Sequence, residues 1–140
     1  MCWFQNELFM KKLFLYTAFI LLCYNCESYG KKVESGLVEV YYEDDVLKDK
    51  AQQIAKYLDD NEFTKDHITS FKIEKDSIYD VKMVVQEGAE KDASNDMAFL
   101  SIGYLLSLEV FNNEPINFQL CNNTFEVLKT IPVTSSEENN

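Results

Sequence analysis

The stretch Met97–Phe111 reads MAFLSIGYLLSLEVF, and it is followed after Pro115 by INFQLC at Ile116–Cys121. The first part is apolar with breaks at helical spacing, and the second alternates between apolar and polar residues. We interpret the two parts as a buried helix that leads into a central strand. The apolar run is interrupted by serine, glycine and glutamate, and it is shorter than the ~20 residues that a membrane-spanning helix needs.

The predicted helix has two apolar arcs at about 100° per residue. The first arc faces the sheet and consists of Phe99, Ile102, Leu106 and Val110, with Gly103 beside them. The second arc consists of Leu100, Tyr104, Leu108 and Phe111. One sheet face can cover only about half of this circumference. We expect a neighbouring element to cover the second arc. The alternative is a surface for a protein partner, either another copy or another protein, because monomers rarely expose large apolar patches.

The composition indicates a globular chain with an acidic surface. Of the 140 residues, 46% are hydrophobic and 14% are aromatic, which predicts one folded domain. All basic residues are lysines, and the formal net charge is −11. Nucleic acids and anionic lipids are bound through basic side chains, so we predict no nucleic-acid partner. Contact with a membrane is expected only through a signal peptide or a lipid anchor.

The N-terminal region resembles a secretory signal peptide. Lys11 and Lys12 precede an apolar run from Leu13 to Cys23, and small residues then permit a cut after Gly30. We assign residues 1–30 to an N-terminal extension and a signal peptide, with the natural start at Met10. This predicts an exported protein, either periplasmic or secreted.

A lipoprotein signal is the competing interpretation of the same region. Cys23 or Cys26 would then carry the lipid and anchor the protein to the outer or inner membrane. Leu22 and Asn25 are poor residues at the position before a lipidated cysteine. Under either interpretation the Cys23–Cys26 pair is removed or altered, and it does not form a metal site in the folded domain.

The remaining chain predicts an α+β fold. We assign residues 31–36 to a linker, 37–133 to a single domain and 134–140 to a disordered polar tail. Period-2 alternation predicts strands at 37–42, 67–74, 78–86 and 116–121, with an optional last strand at 125–133. A first helix follows the acidic run 43–45 and extends to about residue 60. The order βαββαβ is that of a two-layer ferredoxin-like plait.

In such a plait, right-handed crossovers place both helices on one face of an antiparallel sheet. The other face would be open to water. Alternation assigns to this open face the residues Glu39, Tyr41, Lys72, Glu74, Asp80, Lys82, Asn117, Gln119 and Cys121. We call it the polar face.

Two acidic loops are the candidate cation sites. Glu90, Asp92, Ser94 and Asp96 alternate like the ligands of a calcium loop, but Asn95 replaces the required glycine and Ser101 the final glutamate. Acidic residues are also favourable at the N-terminus of a helix, and this accounts for the acidic residues of both the loop 87–96 and the run 43–45. We therefore predict no metal and no cofactor.

Catalytic side chains are scarce. His67 is the only histidine, so a zinc cluster or a proton relay lacks a second imidazole. Cys121 ends a strand, where a thiol more often fills space than reacts. The chain has no arginine, so it lacks the planar guanidinium group that binds a phosphate through two hydrogen bonds. We predict that the protein is not an enzyme and has no catalytic residues.

The segments Val38–Tyr42 and Val110–Cys121 look like those of small uncharacterised exported bacterial α/β domains, over residues 37–133. These segments contain packing residues and a turn, so the resemblance implies no activity. Our first hypothesis is an exported, non-enzymatic domain that binds a protein or stabilises an envelope assembly. The alternative is a protein that binds a small molecule or a divalent cation through the acidic loops 43–45 and 87–96.

Overall fold

The computed structural model describes residues 29–134. They form a six-stranded sheet and two α-helices. The strands are β1 (Lys31–Ser35), β2 (Val38–Tyr42), β3 (Thr69–Lys75), β4 (Tyr79–Val84), β5 (Ile116–Cys121) and β6 (Val127–Val133). The helices are α1 (Lys48–Asp60) and α2 (Asp96–Glu109), and short 3₁₀ turns lie at Asp45–Leu47, Ala89–Lys91 and Ala93–Asn95. The predicted α+β class is confirmed, and the optional last strand is present.

The strand order does not confirm the ferredoxin-like plait. The strands lie in the order β1-β2-β3-β4-β5-β6, so each strand is adjacent to its neighbour in sequence. The pairs β2–β3 and β4–β5 are parallel and the other pairs are antiparallel, which makes the sheet mixed. A plait would interleave the strands in an antiparallel sheet. Alternation specifies the face to which each side chain points, but it does not specify which strands are neighbours.

Both helices pack on the same side of the sheet, which we call the helix face. The apolar residues of α1 join those of β2 in one core, and Gly103 of α2 lies against Phe118 and Val133. The parallel strands β2 and β3 point in one direction, and the parallel strands β4 and β5 point in the opposite direction. Both crossovers, β2-α1-β3 and β4-α2-β5, nevertheless move toward the β6 edge of the sheet. The two crossovers therefore have opposite hands, and one of them is of the rare left-handed form. The expectation of two right-handed crossovers was wrong.

Strand β1 replaces most of the predicted linker 31–36. It forms a hairpin with β2 through Gly36, whose φ of +53° suits glycine. Ser35 Oγ donates a 2.7 Å hydrogen bond to Asp59 Oδ2 on α1. Val33 is the only apolar residue of β1, and lysines are common on edge strands because they discourage further pairing. The apolar alternation that marks the other strands is therefore missing from β1.

The core lies between the helix face and the two helices. The stripe of α1 that faces the sheet consists of Ala51, Ile54, Ala55 and Leu58, all buried. The first arc of α2 also lies against the sheet as predicted, with Phe99, Gly103, Leu106 and Val110 buried and Ile102 half-buried. A Cβ atom on Gly103 would lie 2.9 Å from Val133 Cγ2 and 3.0 Å from Phe118 Cβ. Glycine therefore allows α2 to approach the sheet closely.

Several predictions concern residues outside the described range of 29–134. They are the start at Met10, the signal peptide, lipidation at Cys23 or Cys26, and disorder of residues 135–140. Within residues 29–134, neither helix has the length and apolar character that crossing a membrane requires.

Candidate functional site

The second arc of α2 is exposed along most of its length. The side chains of Leu100, Tyr104 and Leu108 retain 41%, 43% and 42% of their accessible surface. The fourth residue, Phe111, is only 1% exposed and was wrongly assigned to this surface. It packs against Tyr79, with ring centroids 4.7 Å apart. Because α2 ends at Glu109, the helical angle no longer gives the direction of Phe111, and the chain turns it into the core.

A shallow groove of about 490 Å³ lies between the second arc and strand β6. Leu100, Tyr104 and Leu105 line its helical side, and Pro132, Val133 and Thr134 line its strand side. We call it the α2 groove. It lies at the edge of the sheet, where no other strand of residues 29–134 pairs with the outer side of β6. Pro132 cannot donate a backbone hydrogen bond, which is typical of an edge strand. A partner would therefore contact the apolar side chains of the groove and would not add a strand to β6.

The polar face contains the residues that alternation assigned to it. Tyr41 lies opposite Lys72, Lys72 opposite Lys82, and Lys82 opposite Gln119. The prediction that this face is open to water was wrong in part. The side chains of Lys72 and Lys82 are only 10% and 14% exposed, although neither helix packs on them. These two side chains are therefore largely buried without contact from α1 or α2.

An ion-pair network explains how two lysines can lie directly opposite each other. Glu74 is 2.9 Å from Lys72 Nζ through Oε1 and 2.6 Å from Lys82 Nζ through Oε2. Lys72 also pairs with Glu43 at 2.7 Å. Burial alone would raise the pKa of Glu74, but the hydrogen bonds from Lys82 and Lys72 outweigh it and hold that pKa below the ordinary value. Glu74 therefore stays ionised and prevents repulsion between the two lysines.

Glu39 is the centre of a second network on the polar face. Its carboxylate accepts hydrogen bonds from Ser70 Oγ at 2.5 Å, Lys32 Nζ at 3.0 Å and Tyr41 Oη at 3.2 Å. Burial would raise the pKa of Glu39, but these donors together lower it. The three donors lie on β1, β2 and β3, so the carboxylate holds these strands together.

Three aromatic rings cover one end of the polar face. The ring centroids of Tyr29 lie 5.9 Å from Tyr41 and 5.3 Å from Phe125, and those of Tyr41 and Phe125 lie 5.6 Å apart. Phe125 has a positive φ of 59°, and the turn before it is held by Asn122 Oδ1, which accepts from Thr124 N at 3.0 Å. The sequence did not indicate this cluster: Tyr29 precedes β1, and Phe125, which was predicted to begin the last strand, lies in the turn before β6.

The acidic run 43–45 is engaged in structural contacts. Glu43 pairs with Lys72, and Asp45 pairs with Lys31 at 2.6 Å. Asp44 Oδ1 accepts a hydrogen bond of 3.0 Å from Val46 N and caps the short 3₁₀ turn. This capping agrees with the interpretation of the run as a helix start.

The four residues of the calcium-like pattern do not converge. Asp92 Oδ1 accepts from Ser94 N at 2.9 Å and from Ser94 Oγ at 2.7 Å. Asp96 pairs instead with Lys129 at 2.7 Å. Between residues 29 and 134, no three or more His, Cys, Asp or Glu side chains are grouped so as to hold a metal ion.

Glu90 has a different environment from the other acidic residues. Its side chain is only 9% exposed, and no donor among residues 29–134 reaches its Oε2 atom. It lines a cavity of about 400 Å³ between the turn at Gly88 and the turn at Asn122 and Asn123. The alternating acidic pattern suggested Glu90 as a candidate calcium ligand and did not indicate its burial, because that burial depends on the distant turn after β5.

The two side chains considered for catalysis are not brought together. His67 is exposed and lines a shallow cavity of about 340 Å³ with Phe99 and Met83. Cys121 is fully buried, and burial raises the pKa of its thiol to about 11. A thiol in this state is a poor nucleophile and packs as a small apolar group. Cys121 is also too deeply buried to form a disulfide with another chain without local opening.

A comparison with protein families matches residues 32–132 to the AF_1994_N family, described as a family N-terminal domain. The chain belongs to this family. The match begins in β1 and ends in β6, so it extends over all six strands, the outer two in part, and over both helices. No curated protein and no solved structure matches the chain. The family supports the resemblance to an uncharacterised domain, while export and a bacterial setting stay predictions.

Proposed function

We propose that the protein is a non-enzymatic binding domain whose α2 groove receives an apolar segment of another protein. The observation that carries this proposal is the exposure of Leu100 and Tyr104, which line the groove beside the edge strand β6, together with the exposure of Leu108 further along the same arc. Interfaces are commonly built around large apolar and tyrosine side chains. The description of the family as an N-terminal domain fits a module of this kind.

The other helix shows that the fold does not need an apolar outer surface. Helix α1 packs on the same sheet face, yet its outer side exposes Gln52, Gln53 and Lys56. Both helices bury one stripe in the core, as amphipathic helices do. Packing of a helix on this sheet therefore does not by itself require apolar residues on the outer side, and a binding role would explain those on α2.

The net charge of −11 indicates what kind of partner fits. Two copies of the chain would repel each other, particularly at low ionic strength. Most lysines of the described domain already pair with its own carboxylates, as with Lys31, Lys56 and Lys129. Surplus acidic residues are left to attract a partner. We therefore infer a different protein, with apolar anchors flanked by basic residues.

A peptide-display selection tests this proposal. A library of random 16-residue peptides is selected on the full chain and counter-selected on Leu108→Asp. The enriched peptides should carry apolar residues at helical spacing and an excess of Lys or Arg, and Leu108→Asp should weaken their binding at least tenfold. Gln52→Asp adds the same charge to the outer side of α1 and should leave binding unchanged.

Two outcomes contradict the proposal. The first is that no enriched peptide distinguishes the wild type from Leu108→Asp. The second is that light scattering shows a dimer that Leu108→Asp converts to a monomer, because the α2 groove would then join two copies of the chain.

We further propose that the protein is exported and that processing retains Tyr29. A cut after Gly30 would remove Tyr29 from its contacts with Tyr41 and Phe125. Processing at Cys26, with lipidation, would keep this residue and tether the domain to a membrane. An intact mass that corresponds to a diacylglycerol adduct on Cys26 supports this route. An N-terminus at Lys31 in the exported protein refutes it.

A further inference from the structure

The exposed apolar side chains of α2 follow the spacing of a helix–helix contact. They are Met97, Leu100, Tyr104 and Leu108, with exposed fractions of 71%, 41%, 43% and 42%. We call these four side chains the α2 seam. One helix presents apolar residues to another at such intervals of three and four residues. At 1.5 Å per residue the seam is roughly 16 Å long, which an α-helical segment of about three turns matches.

The charges at the N-terminal end of α2 are compensated. Asp96 pairs with Lys129 at 2.7 Å, and Asp92 Oδ1 accepts a hydrogen bond of 2.9 Å from Ser94 N. The positive end of the helix macrodipole also lies here and favours carboxylates. A basic side chain of a partner would therefore gain little at this end of the seam.

The charges at the C-terminal end of α2 are not compensated in the same way. The helix ends at Glu109 and has no basic residue in its last turn, where the macrodipole is negative. Glu114 is held beside this turn, because its carbonyl accepts a 2.7 Å hydrogen bond from Ser107 Oγ. Both glutamates are exposed, and neither carboxylate forms a salt bridge within residues 29–134. Lys50 Nζ donates to the Val110 carbonyl at 2.5 Å, so a single lysine faces two carboxylates and the helix terminus.

Both carboxylates lie beside the surface that the partner would contact. Glu109 follows Leu108 of the seam directly. Ile116 lies opposite Val133 in the sheet, so Glu114, two residues before Ile116, is near the end of the α2 groove that Val133 lines. A lysine or arginine at one end of a segment in the groove could therefore reach these carboxylates.

We infer that the partner segment binds along the α2 seam as an amphipathic α-helix, with its basic residues over the C-terminal end of α2, beside Glu109 and Glu114. This placement rests on the proposed function, because it gives the conformation and the orientation of the segment that the α2 groove receives. The reversed orientation would bring the basic residues to the positive end of the macrodipole and to carboxylates that already have partners.

Paramagnetic NMR on the full chain tests the orientation. The probe is a synthetic 16-residue peptide with leucines at the intervals of the seam, alanine and glutamine elsewhere, and three lysines at its C-terminus. A nitroxide label at the lysine end should broaden the amide signals of Glu109 and Glu114. The same label at the other end should broaden those of Met97 and Leu100. A peptide with proline at its centre cannot form the helix and should not bind.

Charge variants test which residues set the orientation. Glu109→Gln with Glu114→Gln should weaken binding about fivefold, since exposed ion pairs are individually weak, and should remove the difference between the two label positions. Glu62→Gln with Glu87→Gln removes the same number of exposed charges and should change neither quantity. Glu87 follows β4 and Glu114 precedes β5, and because these strands are parallel the two residues lie at opposite ends of the sheet.

Four results overturn the inference. They are the absence of saturable binding, equal binding of the proline peptide, broadening of Met97 by the label at the lysine end, and unchanged binding by the Glu109→Gln, Glu114→Gln variant. Leu108→Asp separates this inference from the proposed function. If binding depends on Leu108 but not on the two glutamates, only the orientation is refuted. If binding depends on the glutamates but not on Leu108, the peptide is held by charge alone, and both the inference and the α2 groove proposal fail.

Discussion

The two faces of the sheet are buried by different means. On the helix face, Phe71, Val81 and Phe118 are at most 1% exposed, in the core formed with the buried apolar stripes of the two helices. On the polar face, Lys72 is 8% exposed and Cys121 is fully buried, although neither helix covers them. Among residues 29–134, this face carries ion pairs and aromatic rings instead of packed helices. A sheet face composed of charged residues can therefore be largely buried when each charged side chain has a partner on the same face.

The largest effect is expected on the helix face. Phe118→Ala removes a fully buried ring and should lower the free energy of unfolding by about 3–5 kcal/mol. Chemical denaturation measures this loss. Thr130→Ala, at an exposed position of the edge strand β6, serves as the control and should change stability by less than about 0.5 kcal/mol. If Phe118→Ala lowers the free energy of unfolding by less than 1 kcal/mol, tight apolar packing does not distinguish the helix face from the polar face.

A smaller loss is expected when the polar face loses its central carboxylate. Glu74→Gln leaves Lys72 and Lys82 opposite each other without the charge between them, and it should cost about 2 kcal/mol. The double variant Glu74→Gln with Lys82→Met should recover part of this loss in denaturation experiments. If Glu74→Gln has the stability of the wild type, the polar face is solvated and the contrast between the faces disappears.

Gly103→Ala examines how closely α2 approaches the helix face. Alanine normally stabilises a helix relative to glycine by about 1 kcal/mol. Here the new Cβ would lie 2.9 Å from Val133, so we expect a net loss of about 1–2 kcal/mol in thermal or chemical unfolding. Ser101→Ala, on the exposed side of the same helix, should be neutral or slightly stabilising. A stabilising Gly103→Ala would show that the helix can move away from the sheet at little cost.

Acid should weaken the polar face selectively. The pKa values of Glu39 and Glu74 are held below 4.5 in the folded protein, so the unfolded chain takes up protons first as the pH falls. Their contribution to stability is complete above pH 4.5 and is lost as the pH falls through the lowered, folded-state pKa values. The denaturation midpoint should decline less steeply below pH 4.5 in the Glu39→Gln, Glu74→Gln double variant. Parallel profiles for the two proteins would assign acid lability to other carboxylates.

The smallest effect on stability is expected outside both faces. Leu108→Gln, in the second arc, should stay within about 0.5 kcal/mol of the wild type, because Leu108 is 42% exposed. The same change should weaken the binding of peptides selected on the α2 groove. A loss of several kcal/mol would instead show that Leu108 stabilises the fold, and its exposure would then offer no support for a binding surface.

The sequence by itself determined the features that depend on local periodicity. The predicted strand 116–121 matches β5, and the first arc of α2 faces the sheet as expected. Alternation also placed Lys72 and Lys82 on one face, and three of the four residues that helical spacing assigned to the second arc are exposed. Such features follow from the repeats of 2 and 3.6 residues, which each segment carries within itself.

Only the tertiary structure decided the features that depend on distant parts of the chain. The strand order, the hand of the crossovers and the pairing of β1 depend on which strands meet, and alternation does not encode this. Phe111 is buried because the chain turns after α2, and the polar face closes because Glu74, Tyr29 and Phe125 meet on it. Glu90 is enclosed by a turn more than 30 residues further along the chain. Contacts of this range form only when the whole sheet is assembled.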